Sequence, residues 1–300
     1  MAEPAPGQDV LRDALAQTAI EQRRADRAGA VAARHEQAAD ESSPQLREFH
    51  LRMAATHRQV ERRHRTAATV HRSFAERLRT WCAALAPPGV VPRLVLTPIF
   101  LAAVADSADA RGAAVTLFGP EREELLSAAS DGRVKSVQDL EFVCGEGPAH
   151  TCNRVRGAVT AAGAELTRRW PLYGPAAVRL GVRRLAAVPI EIGRTPVGAL
   201  TVYEPGVHRG TADLDLLRTI AGTLHRIVLN GDGGHTARDP LLADADWHDV
   251  VHQATGIVAV QSNCSLADAL ALIKARAFAA DLPVDDLAED LVARRIRLED

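Results

Sequence analysis

Aromatic side chains are scarce. Three Trp, two Tyr and six Phe make up 4% of the 300 residues. The cores must therefore rest on Ala, Leu and Val, and hydrophobic residues at 47% suffice to build them. Cysteine is sparse as well. Cys82, Cys144, Cys152 and Cys264 lie apart with no CxxC pair, which argues against a disulfide framework or a zinc knuckle. Long apolar runs are missing. The most apolar stretch, residues 94–105, is far short of the roughly 20 residues that span a bilayer, so no membrane segment is expected. No apolar stretch follows Met1-Ala2-Glu3-Pro4, so no secretory leader is expected and the chain reads as cytoplasmic. A charge excess is lacking too. Lys and Arg number 36 against 38 Asp and Glu, which excludes a basic nucleic-acid tail and an acidic disordered chain.

What is present divides the chain in three. Clusters of Pro and Gly between periodic segments read as linkers, at Pro87-Pro88-Gly89 with Pro92, and at Asn230-Gly231-Asp232-Gly233-Gly234 with Pro240. The parts are residues 1–86, 90–230 and 244–297. The expected fold class is multidomain α and α+β: long N-terminal helices or a coiled coil, an antiparallel sheet with flanking helices, and a C-terminal three-helix bundle.

The first part is nearly all helix formers, broken at Ser42-Ser43-Pro44, where Pro44 suits the first turn of a new helix. Leu46, Met53, Val60, Ala67, Phe74 and Trp81 then recur every seven residues. His50, His57, His64, His71, Leu78 and Leu85 follow them four residues on. Together they make a heptad seam on a helix about 60 Å long. That stripe must be covered by residues 10–41 in a hairpin or by a second subunit, and Leu46 to Trp81 is the candidate dimer seam. The four stacked histidines are read as amphipathic seam fillers. The sharper alternative is a stripe whose protonation loosens the seam.

Two pairs of strands are expected in the middle part. Residues 113–118 and 125–129 make the first pair, and residues 184–192 and 196–203 the second. Helices are expected over 93–105 and 213–229. The last part reads as three short helices. Ser265-x-x-Asp268 is a variant capping box opening the second, and Pro283 opens the third.

Three motifs invite chemistry. Gly145-Glu146-Gly147-Pro148 lacks the further Gly of a dinucleotide loop and is read as a strand-to-helix turn. His248-Asp249-Val250-Val251-His252 has the spacing of a zinc protease motif, but Asp replaces Glu and no third ligand follows. It is read as an amphipathic helix. Cys144 and Cys152 flank the GEGP turn, which leaves a thiol enzyme as an alternative to buried cysteines packing as small hydrophobes.

Two sets of residues resemble known families. Asp139-Leu140-Glu141-Phe142-x-x-Gly145-Glu146-Gly147-Pro148, Trp170-Pro171, Gly181-Val182-Arg183, Val188-Pro189 and Val197-Gly198-Ala199-Leu200 resemble a GAF domain of the actinobacterial signalling type. Gln253-Ala254-x-Gly256-Ile257-Val258, Ser265-x-x-Asp268-Ala269-Leu270, Ala277-Phe278-Ala279 and Asp286-Leu287-Ala288 resemble an ANTAR domain, with Thr255 where that family often has Lys. In this order they resemble the GAF–ANTAR transcription antitermination regulators. The resemblance implies a GAF sensor controlling an output that binds hairpins in nascent mRNA as a homodimer, without catalysis.

Residues 241–300 carry five basic and eleven acidic side chains, so RNA phosphates must meet local cations. The candidates are Lys274 and Arg276 on the second helix and Arg294, Arg295 and Arg297 on the third. Gly256, mid-helix, costs about 1 kcal/mol against Ala, which close backbone packing would explain. Phe142, Cys144 and Trp170 are the candidate lining of a small-molecule pocket, and no residue selects a cofactor. The alternatives are a dimeric signalling protein whose last domain binds protein rather than RNA, and a GAF-fold thiol reductase.

Overall fold

The computed structural model describes residues 8–84, 96–193, 195–206, 212–229, 245–246 and 248–298. Both expected linkers lie outside the described residues. Two long helices, α1 (Gln8–Asp40) and α2 (Pro44–Ala84), come first. The sheet region follows: α3 (Leu96–Ser107), β1 (Gly112–Phe118), β2 (Glu124–Ala129), α4 (Gly132–Cys144), α5 (Pro148–Val155), β3 (Val159–Ala162), α6 (Ala164–Arg169), α7 (Tyr173–Arg179), β4 (Arg184–Ile192), β5 (Thr195–Tyr203) and α8 (Leu214–Leu229). Last come α9 (Asp249–Gln261), α10 (Leu266–Ala280) and α11 (Val284–Val292). No single described helix is long and apolar enough to cross a membrane.

The first two helices fold back on each other within the chain. On α1 the buried residues Ala14, Glu21, Ala25, Ala28, Ala32 and Ala39 step mostly by threes and fours, so the inner stripe of the helix is almost all alanine. Opposite it, α2 buries Ala54, Glu61, Ala68 and Ala75, interleaved with half-buried His50, His57, His64 and His71. The histidines thus belong to the seam inside the hairpin. The stripe expected as a dimer seam lies at its edge: Leu46 is 55% exposed, Met53 and Val60 are half-buried, and only Ala67 and Phe74 are buried.

Polar groups inside the hairpin are paired. Glu21 Oε2 lies 2.5 Å from His64 Nδ1, and its Oε1 accepts from Arg24 at 2.7 Å. Glu61 accepts from Arg58 and Arg65, and Arg58 reaches across to Glu36 with two bonds of 2.6 and 2.9 Å. Burial raises the Glu21 pKa, but His64 and Arg24 outweigh it and hold the carboxyl below its ordinary 4.5. Burial drives His71 below its ordinary 6.5, against the opposing pull of the Glu21 carboxylate.

Both shifts have the same sign for stability. As pH falls below 6.5 the unfolded chain takes up a proton that folded His71 refuses, and stability declines. The Glu21 contribution is present above 4.5 and is lost as pH falls through its lower folded value. Thermal melts followed by helical ellipticity should therefore fall in two steps on acidification. His71→Leu should make the upper decline shallower and Glu21→Gln the lower, each by the share of that one group.

The sheet is five-stranded and antiparallel throughout, in the order β2-β1-β5-β4-β3. The two expected strand pairs are present, and the short β3 was not expected. One face carries Ala113, Val115, Val188, Leu200 and Val202 against α3, α8 and the foot of α2. The other carries Ala114, Ala187, Ala199 and Tyr203 beneath α4 to α7.

The Gly145–Pro148 motif is not a strand-to-helix turn. It joins two helices. Gly145 ends α4 at φ 64°, a left-handed conformation that costs glycine least, and Pro148 starts α5. Glu146 between them accepts the backbone N–H groups of Leu172 and Tyr173 at 2.6 and 3.0 Å, so it caps the start of α7.

Candidate nucleic-acid interface

The three C-terminal helices share one core of Val251, Ala254, Val258, Ile273, Ala277, Leu287 and Leu291. Ser265 caps α10 by accepting the N–H of Asp268 at 3.1 Å. On the outer face of α9 lies a groove of about 550 Å³, lined by Gln253, Gly256, Ile257, Val260, Gln261, Arg294, Ile296 and Arg297. Gly256 is not explained by packing among the described residues, because a Cβ built there meets none of them within 4 Å. Its helix cost of about 1 kcal/mol is offset by no contact among the described residues. Val260 beside it is 83% exposed.

The expected cations separate. α11 ends at Val292, so Arg294, Arg295 and Arg297 lie beyond it rather than on it, with Arg294 in a left-handed conformation at φ 56°. Arg295 donates to Asp290 at 2.6 Å. Arg294 and Arg297 face the groove and have no carboxylate partner among the described residues. Arg276 is exposed on α10, away from the groove. Lys274 points into the protein. Its ammonium sits 3.6 Å above the ring of Phe142, and burial brings its pKa down to about 8. Lys274 therefore leaves the candidate RNA set.

The candidate ligand pocket also comes apart. Phe142, although on α4, is 2% exposed within the core of the C-terminal helices, stacked on His248 with ring centroids 3.8 Å apart. Trp170 is buried elsewhere, under the sheet, where its Nε1–H donates to Thr151 at 2.9 Å. Cys144 is half-buried beside that second core. A cleft of about 680 Å³ instead lies between α4, α7, α10 and α11, lined among others by Leu140, Val143, Arg179, Phe278 and Leu282.

Where the C-terminal helices meet the sheet region, alternating charges form a relay that the sequence did not reveal. His150 lies between Glu141 (3.4 Å) and Glu124 (4.0 Å). His248 lies between Glu124 and Asp246, each at 3.5 Å. Burial lowers both histidine pKa values, but the carboxylates outweigh it and hold both above 6.5. The HxxxH spacing does not gather its two histidines: His248 is buried at the start of α9 and His252 is exposed.

The thiols are quiet. Burial, reinforced by neighbouring glutamates, pushes Cys144 up to about 11 and Cys152 up to about 12. Such thiols are almost wholly protonated at neutral pH, so alkylation by iodoacetamide at pH 7.5 should run roughly a hundredfold slower at these two sites than on a free peptide thiol. Mass-spectrometric site mapping over time measures this.

Compared with known proteins, the chain matches no family model and no curated sequence.

Proposed function

We propose that the protein is a cytoplasmic, non-catalytic regulator of transcription antitermination, in which a GAF-like sensor governs an ANTAR-like output that binds hairpins in nascent mRNA. The observation that carries this reading is the groove on α9. A glycine in mid-helix faces open space there, in a groove also lined by Arg294 and Arg297, neither of which has a carboxylate partner among the described residues. Glycine permits close approach of a backbone, and Arg294 and Arg297 offer phosphate contacts. The order of parts supports the reading too, since an antiparallel sheet unit precedes three short helices. The protonated state of Cys144 and Cys152 weighs against a thiol reductase.

Binding of the full chain to a hairpin RNA tests the proposal. Arg294→Glu with Arg297→Glu should lower affinity about tenfold or more and make the slope of log affinity against log salt shallower by about one to two. Gly256→Ala should raise stability by about 1 kcal/mol and yet weaken binding. A folded double variant that binds the same RNA with the same salt slope removes the groove from the interface.

A second reading, that the C-terminal helices bind protein, is favoured by exposed apolar side chains on α9 and α10 and in the turn after α10: Val260, Leu266, Phe278 and Leu282. It predicts a complex whose stability hardly depends on salt. As for assembly, exposed Leu46, Phe49 and Leu51 on the hairpin support a homodimer through α2.

A further inference from the structure

At the seam between α4 and the C-terminal helices, three side chains from separate segments converge. Asp246 lies on a short connector whose backbone pairs with Ser127 of β2, at 2.7 and 2.9 Å. His248 starts α9, and Asp285 lies in the first turn of α11. One ligating atom from each of the three lies within 4.8 Å of the other two.

Lys135 of α4 meets this group. Its ammonium donates to Oδ2 of Asp246 (2.9 Å), Oδ2 of Asp285 (3.2 Å) and both oxygens of Asp139 (2.9 and 3.0 Å). Three carboxylates thus share one ammonium, and uncompensated charge in a partly buried place is costly.

The atoms that Lys135 does not take are the informative ones. Asp285 Oδ1 and His248 Nδ1 are buried without a hydrogen-bond partner among the described residues. The His248 residue is 1% exposed, and its Nδ1 lies 3.5 Å from Asp246 Oδ1. On the other side of the ring, Nε2 faces Glu124 Oε1 at 3.5 Å. A proton on Nε2 shared with that carboxylate leaves the Nδ1 lone pair directed at the aspartates. Metal-binding histidines use this arrangement, with an outer carboxylate fixing the tautomer and the ring. Phe142, stacked on the same ring, holds its plane.

We propose that Asp246, His248 and Asp285 bind one divalent transition-metal ion, of which Zn²⁺ is the natural probe. One imidazole and two carboxylates suit it. Ligand atoms around a tetrahedral ion stand about 3.4 Å apart, the spacing already present between His248 Nδ1 and Asp246 Oδ1. Asp285 closes the remainder by a change of rotamer. The ion ties the connector and α9 to α11 and neutralises the negative surplus facing α4. Glu124 is a positioning residue.

The test uses the full chain freed of metal by a chelator and titrated with Zn²⁺ and Co²⁺, read by calorimetry and by visible Co²⁺ absorption. One equivalent should bind. Asp285→Asn and His248→Asn should each lower affinity at least tenfold. Glu124→Gln should lower it about ten- to a hundredfold while leaving the stoichiometry at one. Lys135→Met, which removes the competing ammonium, should tighten binding.

His35 and His50 are a rival pair of nitrogens on the hairpin, 3.0 Å apart, so His35→Ala with His50→Ala is the control and should keep the equivalent. Circular dichroism checks that each variant folds. Should His248→Asn not fold, Asp285→Asn decides, since it keeps the shape of a half-buried side chain. The proposal is overturned if the chain binds no equivalent, if the equivalent persists unweakened in folded Asp285→Asn, or if it disappears with the hairpin histidines. None of these outcomes depends on RNA binding.

Discussion

Phe142→Ala should release the C-terminal helices from the sheet region while leaving the sheet itself folded. Phe142 is covalently part of α4 but packs in the core of the other unit, among Val251, Ala254, Ile273 and Leu287. Truncating a buried Phe costs about 3–5 kcal/mol, in part for the cavity left behind. Two ring-specific contacts are lost with it: the stack on His248 at 3.8 Å and the Lys274 ammonium at 3.6 Å. A desolvated cation over a ring is worth about 2 kcal/mol. Lys274 would then be half-buried with no ring beneath it, and the helices would move away to hydrate it.

Hydrogen exchange reads the result by segment. Residues 249–292 should lose protection strongly, whereas β1, β4 and β5 should keep theirs. Phe142→Leu retains most of the apolar burial and forfeits only the ring contacts, so its loss should be smaller by several fold in exchange rate. A loss spread evenly over both units would mean that they unfold as one, and the special place given to Phe142 would be wrong.

The sequence announces regular elements well and the contacts between them poorly. The two long helices are legible because the first part is nearly all helix formers and Pro44 marks the restart, whereas their pairing within the chain is one of two options that the heptad stripe leaves open. The paired strands are legible because alternation and turn residues coincide. β3 is hidden because it is four residues long, and so short a run has little periodicity. The GEGP turn reads as strand-to-helix because the five residues before it, 140–144, apolar except for Glu141, fit a strand or a buried helix equally well. What joins α4 to the C-terminal helices was invisible for another reason. Lys135 and Asp285 are 150 residues apart, and no local spacing records that they meet. Lys274 shows the consequence. By composition it is one of five cations in an acidic segment, hence an obvious phosphate contact, yet its place in the fold is against a phenylalanine ring. Arg294 and Arg297 remain candidates because both are exposed and no described residue folds over them.

Phe74→Asp and Val60→Asp should have opposite consequences, although both belong to the same seven-residue stripe on α2. Phe74 is buried and meets Phe100 of α3 edge-on, with ring centroids 5.4 Å apart at 87°. Val70, Ala75 and Leu78 join it in the core that also holds Val188, Leu200 and Leu224. The foot of the hairpin is therefore built into the sheet's own core. Removing a buried Phe costs about 3–5 kcal/mol, and a carboxylate placed there adds the cost of an unpaired buried charge. The exposed ion pair of Arg77 with Asp106, two bonds of 2.7 Å, contributes too little to hold α2 on α3 by itself. Phe74→Asp should thus unfold α3 and the foot of α2, seen as a melting temperature lower by tens of degrees or no cooperative melt at all. Val60 is half-buried at the edge of the hairpin seam, and a charge there can turn to solvent. In the isolated chain Val60→Asp should change stability by less than about 1 kcal/mol. If a second copy covers the stripe formed by Leu46, Met53 and Val60, the same substitution puts charge into that interface, and light scattering should show the mass halved with the fold intact. A halved mass with an unchanged melt places the dimer contact on this edge of α2; an unchanged mass from a dimeric parent places it elsewhere.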